Sequence, residues 1–275
     1  MQPKVAVYLD VNFPYSFLSA VRIYQLHNTN VEARKQTLQH PLSSTDITHP
    51  SISKVKFELK PIDYFTLVKN GKSSSPSKLE PGRAKYIMLD LTRTLKRLGI
   101  EEQFVKLDTS CWPQETSFTN AIASILLDRN TFDNAAKEVI GDYKKENYDS
   151  SWRDTQNEFG STLEDAISSG YIFRVFVTIF IEHKQTTEES VQVEILDKIL
   201  AKYPTASSGL GGPKTIIELA KKSKVVEEAS FRPTQDAMDS GVFGIPTFVD
   251  EENNQFWGND HLVDAAIVAC ETQKN

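Results

Sequence analysis

Residues 241–249 read Gly241-Val242-Phe243-Gly244-Ile245-Pro246-Thr247-Phe248-Val249, an apolar run that is typical of a buried strand but has a proline near its start. Because proline has no N–H to donate to a sheet, it is confined to the first residue of a strand or to an exposed edge. We therefore expect a strand that begins at Ile245-Pro246. The first backbone groups of this strand should face something other than a neighbouring strand.

The residues that follow complete a strand–turn–strand–helix unit. Glu251-Glu252-Asn253-Asn254 is a polar turn, Phe256-Trp257 returns the chain, and Asn259-Asp260 opens a helix. The apolar residues of that helix recur at helical spacing, at Leu262, Val263, Ala266, Ile267 and Cys270. A free backbone edge facing a helix N-terminus is an arrangement that binds anions. A plain ββα closing unit, with Asn259-Asp260 as the helix cap, fits the same spacing, so both interpretations stay open.

The start of the chain supplies a second strand–helix pair. Val5 to Leu9 is typical of a buried strand, and Pro14 suits the first position of a helix that runs to about His27. Phe13 is then the residue that caps this helix, where serine, threonine, aspartate or asparagine is usual. Residues 54–60 alternate apolar and polar side chains, which predicts another strand ended by Pro61.

The middle of the chain shows helical patterns throughout. They cover residues 117–128, 131–148, 161–169, 171–183, 187–202, 214–222 and 225–240. Their breaks include Gly170 and the Pro204-to-Pro213 loop, whereas Pro233 lies inside the last pattern. A βαβ half, a helical block and a ββα half predict an α/β fold. Its thioredoxin-like sheet domain (1–100 and 236–275, with 28–53 as a surface insertion) is interrupted by an all-helical domain (101–235).

Composition limits the classes of binding partner and the cellular compartment that we expect for this protein. The 275 residues carry 31 basic and 37 acidic side chains, a formal charge of −6 without a basic stripe, so we expect no nucleic-acid partner. Cys111 and Cys270 form no Cys-x-x-Cys pair, and the five histidines show no metal-ligand spacing, so we predict no metal site. No apolar run approaches the ~20 residues of a membrane helix, and no secretory signal is evident. We therefore expect a cytoplasmic protein without a membrane partner.

The motifs at both ends of the chain resemble those of one protein family. Asp10-Val11-Asn12-Phe13-Pro14-Tyr15-Ser16, Phe243-Gly244-Ile245-Pro246 and Phe256-Trp257-Gly258-Asn259-Asp260 are similar to motifs of kappa-class glutathione transferases. They are equally similar to those of 2-hydroxychromene-2-carboxylate isomerases, which share the DsbA-like thioredoxin fold. The resemblance covers roughly residues 4–27, 55–100 and 236–270. It implies a DsbA-like fold, glutathione as a cosubstrate, a small hydrophobic second substrate and a homodimer.

The resemblance also implies where glutathione binds. Pro246 would follow a cis peptide bond, and Ile245 would pair its backbone N–H and C=O with the cysteinyl unit of glutathione. Asn259 and Asp260 match the positions that hold the γ-glutamyl end of the tripeptide. His261 would line the same anion site.

A basic side chain of the loop between the second strand and the next helix is expected to bind the other end of the ligand. Lys72 and Lys78 are the two candidates, because either of them would reach the glycyl carboxylate of glutathione.

The reactive centre departs from the family pattern. Phe13 occupies the position of the serine that activates the thiol of glutathione, and a phenyl ring donates no hydrogen bond. Since such a bond to a charged group contributes about 1.5–3 kcal/mol, the thiol pKa should be about one to two units higher without it. Ser16 and Asn12 are the predicted catalytic residues, because their side chains are potential donors beside Phe13. The N–H groups at the helix start, near Tyr15, are a third source of donors.

These observations predict a glutathione transferase of the kappa type that conjugates or reduces a small hydrophobic electrophile. One alternative is a glutathione-dependent cis–trans isomerase of an aromatic-degradation type of substrate. The other is a glutathione-binding or interaction protein whose catalysis is weakened by Phe13. A disulfide oxidoreductase is disfavoured because neither Phe13 nor Ser16 is a cysteine. Some family members are mitochondrial or peroxisomal, but the end Gln273-Lys274-Asn275 does not resemble a peroxisomal address.

Overall fold

The computed structural model describes residues 2–28, 49–71, 81–100, 111–141, 151–157 and 161–272. The chain divides into two compact units: Met1–Leu107 with Pro233–Asn275, and Asp108–Arg232. The sequence pattern places the boundaries at residues 100 and 236 instead. Most of the predicted surface insertion, residues 29–48, lies outside the described residues.

The first unit, here called the sheet unit, contains four strands in the order β2-β1-β3-β4. They are β1 (Lys4–Leu9), β2 (Lys56–Pro61), β3 (Thr247–Asp250) and β4 (Gln255–Trp257). β1 runs parallel to β2 and antiparallel to β3, and β3 runs antiparallel to β4. This is the βαβ half followed by the ββα half that the sequence predicts.

The helices of the sheet unit connect and cover these strands. They are α1 (Pro14–Asn28), α2 (Tyr64–Lys69), α3 (Pro81–Arg97) and α11 (Leu262–Thr272), with short 3₁₀ turns at Ile52–Lys54 and Asn259–His261. α1 begins at Pro14 as predicted, and the carbonyl of Phe13 accepts the N–H of Phe17 at 3.2 Å. The central strand β1 is the core of the unit, because Val5, Val7 and Leu9 are fully buried.

The second unit, here called the helical unit, contains helices, one isolated β-bridge between Gln156 and Thr162, and no strand among its described residues. The helices are α4 (Ser117–Leu127), α5 (Arg129–Ile140), α6 (Leu163–Phe180), α7 (Glu189–Leu200), α8 (Pro204–Gly209) and α9 (Gly212–Lys222), with a 3₁₀ turn at Ser151–Asp154. The division between the units falls inside α10 (Lys224–Asp239), next to Pro233. A helix over this last pattern is therefore confirmed despite its internal proline.

Several predicted boundaries are wrong, each for a local reason. Gly170 does not break a helix but lies buried inside α6, where packing outweighs its cost of about 1 kcal/mol in helix propensity. The Pro204-to-Pro213 loop contains α8, which Pro204 begins at a position where its missing N–H is harmless. β2 begins at Lys56 rather than Lys54, because Ile52–Lys54 forms a 3₁₀ turn.

Within the parts of the chain that the structure describes, every helix is too short or too polar to cross a lipid bilayer.

Candidate functional site

Three segments of the sheet unit meet at the end of β1. The loop from Asp10 to Phe13 follows β1, and Phe13 packs against the core cluster that contains Ile245. The carbonyl of Pro246 accepts the N–H of Gly258 at 2.9 Å. The buried Arg22 of α1 donates from Nη1 to the carbonyl of Asn259. The structure thus brings together the three segments in which sequence analysis places its site residues.

The Ile245–Pro246 segment precedes β3 and carries the cis peptide bond that the resemblance implies. β3 begins only at Thr247, so the expected strand start at Ile245-Pro246 is wrong by two residues. Neither the N–H nor the C=O of Ile245 is hydrogen-bonded to another of the described residues. Since unpaired backbone groups at a strand end are strong hydrogen-bonding sites, this segment is a place where an extended ligand can add.

The two predicted catalytic side chains are turned into the protein. Ser16 is fully buried, and its Oγ accepts the N–H of Asp10 at 3.4 Å. Asn12 is also fully buried; its backbone N–H donates to Asp10 Oδ1 at 2.8 Å, and its side chain bonds to the same carboxyl group. Both residues therefore hold the loop after β1, and neither presents its side chain at the surface.

Phe13 places a ring where the family places a hydroxyl. This partly buried ring packs edge-on against Tyr64, with the ring centroids 4.6 Å apart. Its backbone N–H donates to the carbonyl of Asp10 at 3.0 Å. The position that the resemblance assigns to thiol activation is thus occupied by an apolar side chain without a hydrogen-bond donor.

Asp10 is the residue of this site that sequence reasoning missed. Its carboxylate is 1% exposed, with Oδ1 bonded to Asn12 and Oδ2 accepting the N–H of Tyr64 at 2.9 Å. Burial raises the pKa of Asp10 from 3.8 to about 7, against the lowering effect of these N–H groups, and nearby Asp63 raises it further. The signal was a charged residue directly after a buried strand, since charged side chains are seldom buried without partners.

The Asn259-Asp260 segment is a 3₁₀ turn rather than the start of the last helix. α11 begins at Leu262, so the predicted helix start at Asn259 is wrong. Gly258 precedes the turn with a φ of 119°, a conformation that favours glycine, and this allows the chain to bend after β4. Asp260 is exposed, whereas His261 pairs through Nδ1 with Asp264 Oδ2 at 2.8 Å.

The other predicted contact to the ligand cannot be placed. Lys72 and Lys78, expected to reach the glycyl carboxylate of glutathione, lie outside the described residues.

Comparison with known proteins identifies the fold. No protein-family model matches the sequence, and no curated protein is significantly similar to it. A solved structure of a 2-hydroxychromene-2-carboxylate isomerase is similar over 98% of this chain and 97% of its own, with a TM-score of 0.55 and 17% identity. A probable DsbA oxidoreductase from Streptomyces coelicolor is similar over 98% of this chain and 90% of its own, with a TM-score of 0.50 and 11% identity. The chain therefore has the DsbA-like thioredoxin fold.

Proposed function

We propose that this protein binds glutathione at the three segments and transfers it to a small hydrophobic electrophile. The observation that carries the proposal concerns the backbone of Ile245, which precedes a cis proline. Its N–H and C=O are not hydrogen-bonded to any other of the described residues. An extended tripeptide adds to such a segment as a short strand, with its main chain supplying affinity. In this proposal, Ile245 pairs with the cysteinyl unit of glutathione.

The turn after β4 would hold the charged end of the tripeptide. Asp260 is exposed there and would accept from the γ-glutamyl ammonium, while Asn259 would donate to the adjacent carboxylate. The Asn259 carbonyl is already held by buried Arg22, and Gly258 is held by Pro246. These contacts support the proposal because they fix the turn before a ligand arrives, which lowers the entropy cost of binding.

Activation of the thiol would rely on backbone donors. Ser16 and Asn12 already bond to Asp10, and Phe13 has no side-chain donor. The N–H groups of Tyr15 and Ser16 in the first turn of α1 have no intrahelical acceptor, and the helix dipole adds a partial positive charge there. In the proposed reaction the sulfur attacks the electrophilic carbon, the leaving group departs with its bonding electrons, and the thiol proton passes to solvent.

Replacing Phe13 with serine tests the proposed activation. We expect Phe13→Ser to restore a hydroxyl donor and to lower the thiol pKa of bound glutathione by about one to two units. The measurement is the ultraviolet absorbance of the thiolate in the complex as a function of pH, together with the rate of conjugation to 1-chloro-2,4-dinitrobenzene. Ser16→Ala is the matched control and should leave the thiol pKa unchanged. An unchanged thiol pKa in Phe13→Ser would show that Phe13 is not at the reactive position.

Replacing Asp260 with alanine tests the binding end of the site. We expect Asp260→Ala to weaken glutathione binding by roughly tenfold or more, because a charge-assisted contact is lost. Glu252→Ala is the control, since it removes the same charge from an exposed position in the turn between β3 and β4. Calorimetric titration of the three proteins measures both effects. Equal affinities for Asp260→Ala and wild type would exclude Asp260 from the site.

The packing of Phe13 supports a second candidate, a glutathione-dependent isomerase. Phe13 and Tyr64 form an aromatic wall, and both pack with Ile245 in one apolar cluster. Such a wall would stack against an aromatic substrate. In this reaction the thiol adds to the double bond and, after rotation about the resulting single bond, is itself eliminated, so the substrate loses no group. If the wild type ionises the thiol of bound glutathione fully, and neither Phe13→Ser nor Ser16→Ala changes the thiol pKa, this candidate is favoured. If it binds glutathione without measurable thiolate, a binding or interaction protein is favoured.

A further inference from the structure

Helix α3 presents two exposed apolar side chains within a border of basic ones. Tyr86 is 57% exposed and Leu89 is 45% exposed. The basic side chains of the helix are all exposed, at Arg83, Lys85, Arg93, Lys96 and Arg97. Apolar side chains that are exposed singly are ordinary, whereas adjacent ones within a polar border are typical of surfaces that contact a protein or a membrane.

Helical spacing brings these side chains to one face of α3. Leu89 follows Tyr86 by three residues and Arg93 follows Leu89 by four, so the three lie in one row along the helix. Lys96 and Arg97 continue the row by one turn. In the sequence the basic residues are separated by apolar ones and form no basic run. The structure therefore corrects the expectation of a surface without a basic stripe.

The opposite face of α3 is fixed against α1. Leu91 and Leu95 are fully buried there. The hydroxyl of Tyr15 in α1 donates to Asp90 Oδ2 at 3.1 Å. Because burial and this hydrogen bond hold α3 in its orientation, the row that contains Tyr86 and Leu89 stays at the surface.

The charge of α3 is opposite to that of the chain. Five basic residues and one acidic residue, Asp90, give the helix a formal charge of +4 in a chain of −6, which leaves −10 on the other residues. Arg83, Lys85 and Arg93 take part in none of the ion pairs between described residues. A positive face on an otherwise acidic protein favours an anionic partner and directs it to α3.

The size and shape of this face favour a membrane over a protein partner. From Lys85 to Arg97 the helix extends about 18 Å, and half of its circumference over that length offers roughly 300 Å². A stable protein interface needs about 800 Å² from each partner. A convex row needs no complementary groove on a lipid surface. Tyrosine and leucine enter the headgroup boundary there, while arginine and lysine bind anionic headgroups.

We propose that α3 binds the surface of an anionic membrane through Tyr86, Leu89 and the basic side chains that border them. The proposal is independent of the candidate glutathione site. The sequence lacks an apolar run long enough to span a bilayer, and a helix that lies on the surface needs none. Surface binding thus replaces the expectation of a protein without a membrane partner.

Flotation of the whole protein with lipid vesicles tests the proposal. The protein should bind phosphatidylcholine vesicles that contain about 30% phosphatidylserine but not vesicles of phosphatidylcholine alone, and about 0.5 M salt should release it. Arg93→Gln combined with Lys96→Gln should weaken binding by about tenfold or more, since each basic side chain near such a surface contributes about fivefold. Lys202→Gln combined with Lys214→Gln is the control, because it removes the same charge from exposed positions of the helical unit.

The apolar contact is tested by Leu89→Ala, which should weaken vesicle binding by about fivefold. Phe231→Ala, which truncates a similarly exposed side chain (50%) of the helical unit, should leave binding unchanged. Equal binding to uncharged vesicles, or binding that none of the α3 substitutions weakens, would overturn the proposal. A protein that ignores vesicles but binds poly-L-glutamate or duplex DNA would also overturn it, as would a dimer that dissociates in Leu89→Ala.

Discussion

Replacing Asp10 with asparagine should flatten the pH dependence of the free energy of unfolding between about pH 4 and pH 7. Burial raises the folded-state pKa of Asp10 from 3.8 to about 7. The stabilisation from holding this proton is therefore complete below about pH 4 and is lost as the pH rises through about 7. A difference of about three pKa units corresponds to roughly 4 kcal/mol.

The asparagine variant lacks this titration but keeps the size of the side chain. At about pH 5 it should be less stable than wild type by roughly 1–3 kcal/mol, because its NH₂ faces one of the two N–H donors. At about pH 8 the difference should shrink or reverse, because wild type then carries a buried charge. Urea unfolding of both proteins at the two pH values measures this change. If the free energies of unfolding of the two proteins change equally with pH, Asp10 does not titrate in this range. Asp264→Asn is the control for an exposed carboxylate.

Replacing Arg153 with methionine should destabilise the helical unit by about 3–5 kcal/mol. The Arg153 side chain is 1% exposed and donates to the carbonyls of Ile125 and Leu126 and to Glu164 Oε1 at 2.6–2.9 Å. These carbonyls end α4, so Arg153 satisfies acceptors that have no intrahelical partner. Its removal leaves buried polar groups and Glu164 without their guanidinium partner.

An exposed ion pair nearby provides the comparison. Arg129 contacts Asp154 at 2.6 Å, but these side chains are 39% and 80% exposed, so Arg129→Met should cost less than about 1 kcal/mol. Tryptophan fluorescence reports the unfolding, because the buried ring of Trp152 lies 4.8 Å from the Arg153 guanidinium. Replacing Trp112 and Trp257 with phenylalanine in all the proteins compared isolates this signal. Equal losses in the two variants would mean that burial does not decide the contribution of Arg153.

The strands and their order along the chain were predictable because each strand carries a strong local pattern. β1 is a short apolar run bounded by charge, β2 alternates, and the β3–β4 hairpin surrounds a polar turn. The pattern for α1 likewise begins at a recognisable residue, Pro14, whereas the last helix was marked by its helical spacing and not by its start. Fold class followed from this order, because a βαβ half and a ββα half leave few topologies for one sheet.

Boundaries inside the helical unit were less predictable because tertiary packing overrides propensity. Gly170 is a poor helix former on average, yet its surroundings in α6 are buried on both sides along the chain. The 3₁₀ turn at Asn259–His261 depends on contacts made from α1 and from Pro246, which are distant in sequence. The spacing of apolar residues along the sequence gives no information on such long-range contacts.

The candidate site was predictable as a set of segments but not as a set of side-chain roles. The proline at residue 246 and the Asn259-Asp260 pair marked two of the segments from sequence alone. The burial of Ser16 and its bond to Asp10 are consequences of how the loop folds back on itself. A hydroxyl and a backbone N–H six residues apart give no sequence signal for that contact.

The most direct test of the central proposal is amide hydrogen exchange at Ile245 with and without glutathione. If the tripeptide adds to this segment as a strand, the Ile245 N–H becomes a donor to the ligand, and its exchange should slow by about tenfold or more. Amides of the helical unit should exchange at unchanged rates. The contrary result is an Ile245 amide that exchanges equally fast at every glutathione concentration, or protection confined to other parts of the chain.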